Sequence, residues 1–473
     1  MALSRFWLSI IIVSIAYILA LLFSGASYSI DFVVNGKKDD PLIKKEVYLN
    51  KLSPFLQDTL QKAKDHRYAK ADSLFILDNK IVKIAVGKQA TDGILPTAKN
   101  TIFDLLLPLI AYLSFFSGIL QLLIDSGASE KLAAFLSPVF IKIFPEVPAN
   151  HPSISYMMLN FAANFLGLDS AATPFGLKAM ESLQEINVDK DKASNSQIMF
   201  MCLHAAGLTL IPTSIIGYRA AQNAQNPADV MLPCIITSFV GTVAALIIVG
   251  VRQRINFKST ALLLSLSSIV AIIAALLVYI TRLDLIAKNH FTNNISNVIL
   301  LGIILSIVVY SFTKEKYFET NGKNIFSSFV DGAYNGLKTG KTIFPYILGM
   351  LVAISLFRNS GVFEIITSYI GKLFLAIGVQ KPIVDALPIA ILRPFNAAGS
   401  RGFLIDAMRT YGADSFTGRL SSVFQCAAET TFYVIAVYFG SIKIKNTRYT
   451  LSTMLLVDLI CVLAAIFICL LFF

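Results

Sequence analysis

Charged residues, cysteine, histidine and tryptophan are all scarce in this chain of 473 residues. It has 15% charged residues, 5 cysteines, 4 histidines and 1 tryptophan. Hydrophobic residues make up 55% of the sequence, and the mean hydropathy is +0.68. Because a soluble domain carries much more charge, this composition excludes the soluble class and indicates a polytopic helical membrane protein.

The few cysteines and histidines lack the spacing of a metal or catalytic site. All 5 cysteines lie in or beside apolar runs and no CxxC pair occurs, so neither a disulfide framework nor a cysteine metal site is indicated. The sequence also has no G-x-S-x-G, H-E-x-x-H or Walker A motif. We therefore predict no enzyme activity and no cofactor, and ATP-driven pumping by this chain alone is disfavoured.

Apolar runs long enough to cross a bilayer, which takes roughly 20 residues, occur along the whole chain. They are Phe6–Phe23, Thr101–Ile124, Val230–Val251, Ala261–Thr281, Ile295–Phe312 and Leu451–Phe473. The predicted fold class is therefore all-α and embedded in the lipid bilayer. The net charge of +11 comes mainly from loops and one polar segment, so no nucleic-acid partner is predicted.

Basic residues in short loops predict the orientation, because they mark the cytoplasmic side. Arg5 places the amino terminus inside, and Arg252 and Lys314 do the same for the loops flanking a two-span hairpin. Lys445 places the loop before the last span inside, which leaves the carboxyl terminus outside. We expect residues 1–23 to be an uncleaved membrane anchor, which is favoured over a signal peptide.

The polar segment 24–100 is predicted to be a small extracytoplasmic α+β insertion. A hairpin is expected at Asn35-Gly36, a helix near Leu52 to Ala63, and a pair of strands, LFIL and KIVKIAV, turned at Asp78-Asn79. A solvated spacer without a binding role is the alternative. No residue pattern in this segment indicates chemistry.

Two apolar stretches, Asn160–Met180 and Ala386–Met408, are each interrupted by a polar break with Gly and Pro around an Ala-Ala pair. Lipid offers no hydrogen bonds, so broken backbone at membrane depth needs protein or a water-filled cavity to satisfy it. Matched broken helices in two halves are typical of the central site of a transporter. We therefore expect the functional site at these two breaks.

Weak internal similarity relates the two halves of the chain. Ser126-Gly127 matches Ser360-Gly361, Ala171-Ala172 matches Ala397-Ala398, and HAAGLTLIP from His204 matches CAAETTFYV from Cys426. The first half begins outside and the second inside, so two inverted repeats are predicted. The predicted domains, after the anchor and the insertion, are residues 101–256, a linking hairpin at 257–324, and residues 325–473.

In the first half, the candidate site contains Asn160, Asn164, Asp169 and Thr173. The two asparagines are four residues apart and share one helix face. Thr173 is expected to cap a new helix that starts at Pro174 and points its positive dipole end at the cavity. That end suits an anionic or hydrogen-bond-accepting solute group. The alternative is that both asparagines only bond neighbouring helices.

In the second half, Gln425 and Glu429 have the same spacing on a run from Phe416 to Gly440, and Thr430 follows. A carboxylate inside an apolar helix costs roughly 2.5 to 3.5 kcal/mol, so Glu429 needs a partner or a role. Arg393 is the expected ion-pair partner and Arg401 the second choice. Two further polar candidates at this break are Asn396 and Ser400. His204 either faces the cluster or only packs.

Two long motifs resemble known bacterial families. ANFLGLDSAATPFGLKAMESLQEIN, ending at Asn187, resembles the signature of spore maturation protein A. RPFNAAGSRG, YGADSFTGRL and ETTFYVIAVYFGSIKIKNTR, between Arg393 and Arg448, resemble spore maturation protein B. The chain is thus similar to a fusion of the two, within the gate, or nucleoside-recognition, domain group. The resemblance implies two gate domains that move a small solute. Segment 24–100 and the pair of spans at 261–312 are not part of the pattern of either family.

These observations predict a transporter or gated pore for a small polar solute, nucleoside-like or anionic, working by secondary or facilitated transport. The site is expected where the two repeats meet. Coupling to protons or sodium ions and assembly into a homo-oligomer are left open. The alternative function is a non-transporting membrane scaffold that binds envelope or cell-wall partners through its outer segment.

Overall fold

A computed structural model describes most of the chain, and helices dominate it. The described residues are 2–24, 30–35, 41–63, 66–70, 73–78, 81–88, 93–148, 150–167, 169–257, 259–283, 285–320, 322–363, 365–366, 369 and 378–473. The first helices are α1 Ala2–Phe23, α2 Ile30–Asn35, α3 Pro54–Lys62, α4 Ile94–Asn100 and α5 Leu107–Asp125, with a π-helical turn at Thr101–Leu106 joining the last two.

The remaining helices follow in two similar series with three linking helices between them. The first series is α6 Ala128–Ile143, α7 Pro152–Phe165, α8 Asp169–Glu185, α9 Asn195–Ala205, α10 Thr213–Ala221 and α11 Met231–Arg252. The linking helices are α12 Thr260–Thr281, α13 Leu285–Thr313 and α14 Glu315–Thr320. The second series is α15 Ile325–Asn359, α16 Lys381–Leu392, α17 Ala397–Tyr411, α18 Phe416–Cys426, α19 Thr431–Ser441 and α20 Thr450–Phe472.

Within the described residues, six stretches are long and apolar enough to cross a bilayer, which makes this a membrane protein. They are Ile94–Asp125, Met231–Arg252, His290–Thr313, Ile325–Asn359, Phe416–Ser441 and Thr450–Phe472. The fifth is long enough only when α18, α19 and the break between them are taken together. Ile325–Asn359 has no counterpart among the predicted spans, because polar residues and glycines interrupt its apolar pattern.

The segment before α4 contains a four-stranded antiparallel sheet. Its strands are β1 Pro41–Tyr48, β2 Arg67–Lys70, β3 Ser73–Asp78 and β4 Ile81–Lys88, in the order β1-β4-β3-β2. The predicted strand pair is present as β3 and β4, with Phe75 opposite Ile84, and α3 forms where a helix was expected. Gly36 and Asn79 of the two predicted turns lie outside the described residues. Leu60 and Val82 are fully buried and form the small core.

Three glycines spaced four residues apart let α15 pack directly on α5. A Cβ atom on Gly332, Gly336 or Gly340 would lie 2.4 to 2.5 Å from an atom of α5, in two cases a backbone carbonyl oxygen. Gly336 meets the carbonyl of Leu113, and Gly340 meets Ile110. Small residues at this spacing allow close backbone approach where lipid provides no hydrophobic drive for association. The pair forms the long wall beside the two sets of broken helices.

Two polar clusters, each drawn from both series, lie at opposite ends of α11. We call the first the Arg219 cluster: Arg219, Asp229, Asp414 and Arg419. Arg219 and Asp229 are fully buried side chains 2.7 Å apart, and Asp414 lies 3.1 Å from the same guanidinium. Arg419 completes the network 2.8 Å from Asp229. Breaking such a buried network leaves an uncompensated charge, so this end of the structure is held firmly.

The second cluster, the Arg448 cluster, consists of Asp191, Asn195, Asn446 and Arg448. The Asn446 main-chain N–H donates to the Asp191 carbonyl at 3.0 Å, and Arg448 donates to Asn195 Oδ1 at 2.9 Å. Its contacts are mostly solvent-exposed hydrogen bonds rather than buried ion pairs. The Arg219 cluster therefore stabilises its end of the structure more than the Arg448 cluster stabilises the other end.

Candidate functional site

Four breaks interrupt the helices of the two series. In the first series, α7 ends at Phe165 before α8 begins, and α9 ends at Ala205, seven residues before α10. In the second, the breaks fall between α16 and α17 and between α18 and α19. Gly167 and Gly207 lie in the first-series breaks with φ values of 75° and 62°, a region that glycine adopts at little cost. At these four breaks, backbone N–H and C=O groups therefore lose the partners that a continuous helix would give them.

In each series, the two helices that flank the first break pack along each other as a hairpin: α7 with α8, and α16 with α17. The second break of each series, after α9 and after α18, is where the two series cross. The Glu429 main-chain N–H donates to the Ala205 carbonyl at 2.8 Å. Each crossing segment also bonds the tip of its own hairpin. Leu210 N–H donates to Phe165 O at 2.7 Å, and Phe432 N–H donates to Pro394 O at 3.0 Å. These bonds satisfy part of the freed backbone, as membrane depth requires.

A cavity of about 330 Å³ opens beside this crossing. Its polar lining comes from both series, including α15 of the second. The polar lining residues are Asn164, Thr173, His204, Thr209, Thr213, Ser214, Tyr218, Thr339, Arg393, Arg401, Gln425, Glu429, Tyr433 and Tyr438. The rest of the wall is apolar and includes Leu113, Ile215 and Ile343. An apolar cavity with a few convergent polar groups is the usual form of a small-molecule site.

Arg393 holds the second crossing segment in place. Its Nε donates to the Ala428 carbonyl at 2.7 Å, and Nη1 donates to Thr430 Oγ1 at 3.3 Å. Its Nη2 lies 3.6 Å from Glu429 Oε2, so the expected ion pair is present. The Glu429 side chain keeps 38% of its surface exposed. One carboxylate is therefore neutralised by its arginine while it still faces the cavity.

The first hairpin contributes a network of amides around His204. Asn160 is fully buried and its Nδ2 donates to the Ala172 carbonyl at 2.7 Å. This bond turns Asn160 Oδ1 toward His204 Nδ1, 3.0 Å away. Asn164 Nδ2 lies 2.9 Å from the same nitrogen. The tautomer of His204 therefore selects its partner, because a protonated Nδ1 donates to Asn160 Oδ1 and an unprotonated Nδ1 accepts from Asn164 Nδ2. Asn164 and His204 also line the cavity.

Half of the predicted site residues line the cavity: Asn164, Thr173, Arg393, Gln425 and Glu429. Asn160 and Thr430 are buried behind it and bond lining residues. Ser400 is fully buried and donates to Ala397 O at 3.1 Å, so the structure does not bring it to the cavity wall. Asn396 is likewise absent from the lining. The side chain of Asp169 lies outside the described part of the chain.

Two local predictions for these residues are wrong. The new helix starts at Asp169 rather than at Pro174, which lies inside α8, so Thr173 does not cap a helix. Gln425 and Glu429 do not share a helix face, because α18 ends at Cys426. Both still reach the cavity from opposite sides of that break. The Ala-Ala pairs mark the first turns of the returning helices rather than the breaks themselves.

Several lining residues were missing from the predicted site. Arg401 was considered only as a second partner of Glu429, and Thr213, Ser214 and Tyr438 were not singled out. The repeated HAA and CAA sequences at His204 and Cys426 mark the ends of α9 and α18, and this similarity was the available signal. Within the described residues no group of three or more His, Cys, Asp or Glu side chains forms a candidate metal site.

Comparisons with known proteins agree with this geometry. The Gate family model, described as nucleoside recognition, matches residues 106–222 and 341–445, so each matched segment contains two of the four breaks. Spore maturation protein B of Bacillus subtilis (strain 168) is 43% identical over 148 residues, which cover 31% of this chain and 82% of that protein. Spore maturation protein A of the same organism is 36% identical over 140 residues, covering 30% and 71%. The chain therefore belongs to the Gate, or nucleoside-recognition, family.

Proposed function

We propose that this protein is a membrane transporter or gated pore for a small polar solute and has no enzyme activity. One observation carries the proposal. Two broken helices cross at Ala205 and Glu429 beside a polar cavity that both series line. Broken helices that meet at a cavity are the usual way in which transporters build a central site. Transport is secondary or facilitated, with protons or sodium ions as candidate coupling ions.

The course of α11 and α20 supports two inverted repeats. Helix α11 starts beside Asp229 of the Arg219 cluster, and Gln253 at its other end donates to Asn195 O at 2.8 Å in the Arg448 cluster. Helix α20 runs the opposite way. It begins after Tyr449, whose hydroxyl is 3.0 Å from Gln253 Nε2, and ends next to Phe473, whose ring lies 4.6 Å from the Arg419 guanidinium. The last helices of the two series thus run antiparallel between the same clusters.

We propose that the protein lies in the bacterial inner membrane with the amino terminus inside and the carboxyl terminus outside. Basic residues Arg252 and Arg254 support a cytoplasmic position for the Arg448 cluster. The Arg219 cluster is then extracytoplasmic, together with the sheet at residues 41–88. Contact between β1 and α17 supports the same side for the sheet and the outer end of that helix. The proposed gate domains are residues 101–256 and 325–473, joined by the hairpin 257–324.

The function is tested by measuring solute flux in proteoliposomes that contain the full-length chain. The screen uses radiolabelled nucleosides, amino acids and organic anions. Glu429→Gln removes the charge that pairs with Arg393 but leaves the Arg393 bonds to Ala428 and Thr430 available, so we expect a folded protein with flux abolished. Glu315→Gln, at an exposed position of α14, is the matched control and should transport like the wild type.

Unchanged flux in Glu429→Gln would discredit the site, and an unfolded variant would indicate that the ion pair is only structural. The folded four-stranded sheet favours the second candidate function, a membrane scaffold for envelope partners. Replacing residues 41–88 with a short linker tests this candidate, because α4 and the span that follows it remain intact. A scaffold loses its cellular function on this change, whereas a transporter keeps its flux.

A further inference from the structure

Arg401 lines the cavity and has no partner among the residues that the structure describes. Arg401 lies in the first turns of α17, directly after the hairpin break, and lines the cavity wall. Among the described residues no carboxylate lies within ion-pair distance of it, and no protein group accepts a hydrogen bond from it. A charged side chain at membrane depth normally pairs or marks a solute pathway. Arg401 is therefore the charged residue at this site that the protein leaves uncompensated.

The charge balance of the cavity is positive. Arg393, Arg401 and Glu429 are the charged side chains in its described lining, and Glu429 is already paired with Arg393. One positive charge remains. A neutral solute would enclose this charge without compensating it, whereas a solute with one negative group would neutralise it. Burial of an unpaired charge is strongly unfavourable, so the cavity favours an anion.

Gln425 supplies independent evidence that this wall of the cavity is built to bind a polar group. Its side chain is only 4% exposed, it lines the same cavity, and its Oε1 is buried without a hydrogen-bond partner in the described structure. A buried polar atom without a partner costs free energy, and native proteins rarely keep one. The amide offers one acceptor and two donors, so it suits a polar group next to the negative one.

The start of α10 adds main-chain donors to the same wall. Its first three residues, Thr213, Ser214 and Ile215, all line the cavity. The residue before the helix is Pro212, which provides no side-chain cap. The Thr213 N–H already donates to Ile211 O at 2.8 Å. The next two N–H groups, those of Ser214 and Ile215, belong to the first turn of a helix, whose N–H groups have no partner inside the helix and, together with the helix dipole, attract anions.

Two lysines on α15 make the approach to the cavity electropositive. Lys338 and Lys341 are exposed on the helix that contributes Thr339 and Ile343 to the wall. In the described part of the chain, neither ammonium group lies within ion-pair distance of a carboxylate. A cleft with charges of one sign raises the local concentration of oppositely charged solutes and their association rate.

We propose that the solute is an anion whose carboxylate or phosphate group binds Arg401, with the Gln425 amide and the first turn of α10 completing the subsite. This inference rests on the proposed function, because it names the solute class of the same cavity. Arg393 is not part of the subsite: its guanidinium stays bonded to Ala428 O, Thr430 and Glu429. The guanidinium fork of Arg401 matches the planar geometry of a carboxylate or the oxygens of a phosphate.

The test is binding to the purified full-length protein, measured by calorimetry and thermal shift with matched probe pairs. Benzoate is compared with benzamide, and uridine 5′-monophosphate with uridine. We expect the anion of at least one pair to bind and its neutral partner not to, and the pair that responds separates a carboxylate from a phosphate. Arg401→Gln should weaken binding by roughly 10-fold to 100-fold, and Arg401→Lys should restore part of it. Arg282→Gln, at an exposed loop position, should bind normally.

Equal or tighter binding of the neutral partners, or unchanged anion affinity in Arg401→Gln, would overturn the anion subsite. The two proposals fail separately. If the anion binds through Arg401 but no probe crosses the membrane in proteoliposomes, the subsite stands and transport fails. If a neutral solute is transported and its flux requires Glu429 but not Arg401, transport stands and the anion subsite fails. If Arg401→Gln does not fold, Arg401→Lys and the probe pairs on the wild type still decide the question.

Discussion

The main-chain N–H of Glu429 donates to the carbonyl of Ala205 at 2.8 Å, which connects the broken helix of one series to the broken helix of the other. Because both atoms belong to the backbone, every substitution at these two positions except proline at position 429 keeps the donor and the acceptor. Gly207 lies just beyond it, and a Cβ there would be 3.7 Å from Ala428. The crossing therefore depends on backbone geometry, and substitutions of the glycines that shape the breaks test it.

Gly167→Ala should destabilise the protein strongly. Gly167 has φ 75°, and a Cβ there would lie 2.3 Å from the carbonyl oxygen of Ile211. Left-handed backbone costs an alanine about 1 to 2 kcal/mol, and the collision adds about 1 to 3 kcal/mol as overpacking does in a well-packed core. Thermal unfolding in detergent measures the combined loss.

Gly322→Ala is the matched control for that substitution. Its φ is 69°, almost the same, but nothing lies within 4 Å of the added Cβ among the described atoms. This substitution should therefore lower the free energy of unfolding only by the cost of the left-handed backbone, about 1 to 2 kcal/mol. Equal unfolding temperatures for the two variants would mean that the contact between the Gly167 break and Ile211 is not tight.

Gly336→Ala should separate α5 from α15. The added Cβ would lie 2.5 Å from the carbonyl oxygen of Leu113, and neither backbone can move without displacing the other. We expect a loss of about 1 to 3 kcal/mol, as for overpacked cores, seen as a lower unfolding temperature and a lower yield. Gly302→Ala on α13, where nothing described lies within 4 Å, should be neutral or slightly stabilising because alanine favours the helix.

Arg219→Gln should weaken one end of the structure much more than Arg448→Gln weakens the other. The Arg219 guanidinium is fully buried with Asp229 and Asp414, so its loss leaves buried carboxylates unpaired, at a cost of about 3 to 5 kcal/mol. Arg448 is exposed, and exposed polar contacts contribute about 1 kcal/mol or less. Chemical unfolding of the two variants side by side measures the difference, and equal losses would contradict it.

Much of the architecture was predictable from the sequence, because composition and apolar runs depend on properties that lipid imposes everywhere. The span Ile325–Asn359 was not predicted because it packs glycines, rather than a continuous apolar face, against α5. The break between α18 and α19 was not predicted for another reason. Helix periodicity continues across it, and residues distant in the chain satisfy the released groups: Ala205 O accepts from the Glu429 N–H, and Arg393 donates to Ala428 O. Such tertiary hydrogen bonds leave no local sequence signal.

Site residues were predictable where a charged residue lies in or beside an apolar run, because such a charge needs a partner or a role. Glu429 and Arg393 stood out for that reason, and the structure pairs them at 3.6 Å. Arg401 did not stand out as a separate group, because its lack of a partner is a property of the folded structure. Ser400 is only one position away along α17, but it points into the packed interior; one residue turns a side chain by about 100° around a helix.

Asp458→Asn tests whether proton coupling uses the last helix. Asp458 is 8% exposed in α20 and accepts a hydrogen bond from Thr431 Oγ1 at 2.7 Å. Within the described residues no lysine, arginine or histidine forms an ion pair with it. The positive charge of Arg393 is close enough to act electrostatically on the Asp458 carboxylate. On the same helix, the titratable group that interacts with Asp458 is the thiol of Cys461. A buried carboxylate with one hydroxyl partner suits reversible protonation during a transport cycle.

Asparagine keeps an acceptor for Thr431, so we expect Asp458→Asn to fold like the wild type. If protons couple through this carboxylate, a pH gradient should no longer drive solute accumulation in proteoliposomes, while downhill exchange of the same solute continues. Ser452→Asn, at an exposed position of the same helix, controls for a general effect on α20. Accumulation that follows the pH gradient equally in wild type and Asp458→Asn would exclude Asp458 as the coupling group and leave Glu429 or sodium to be tested.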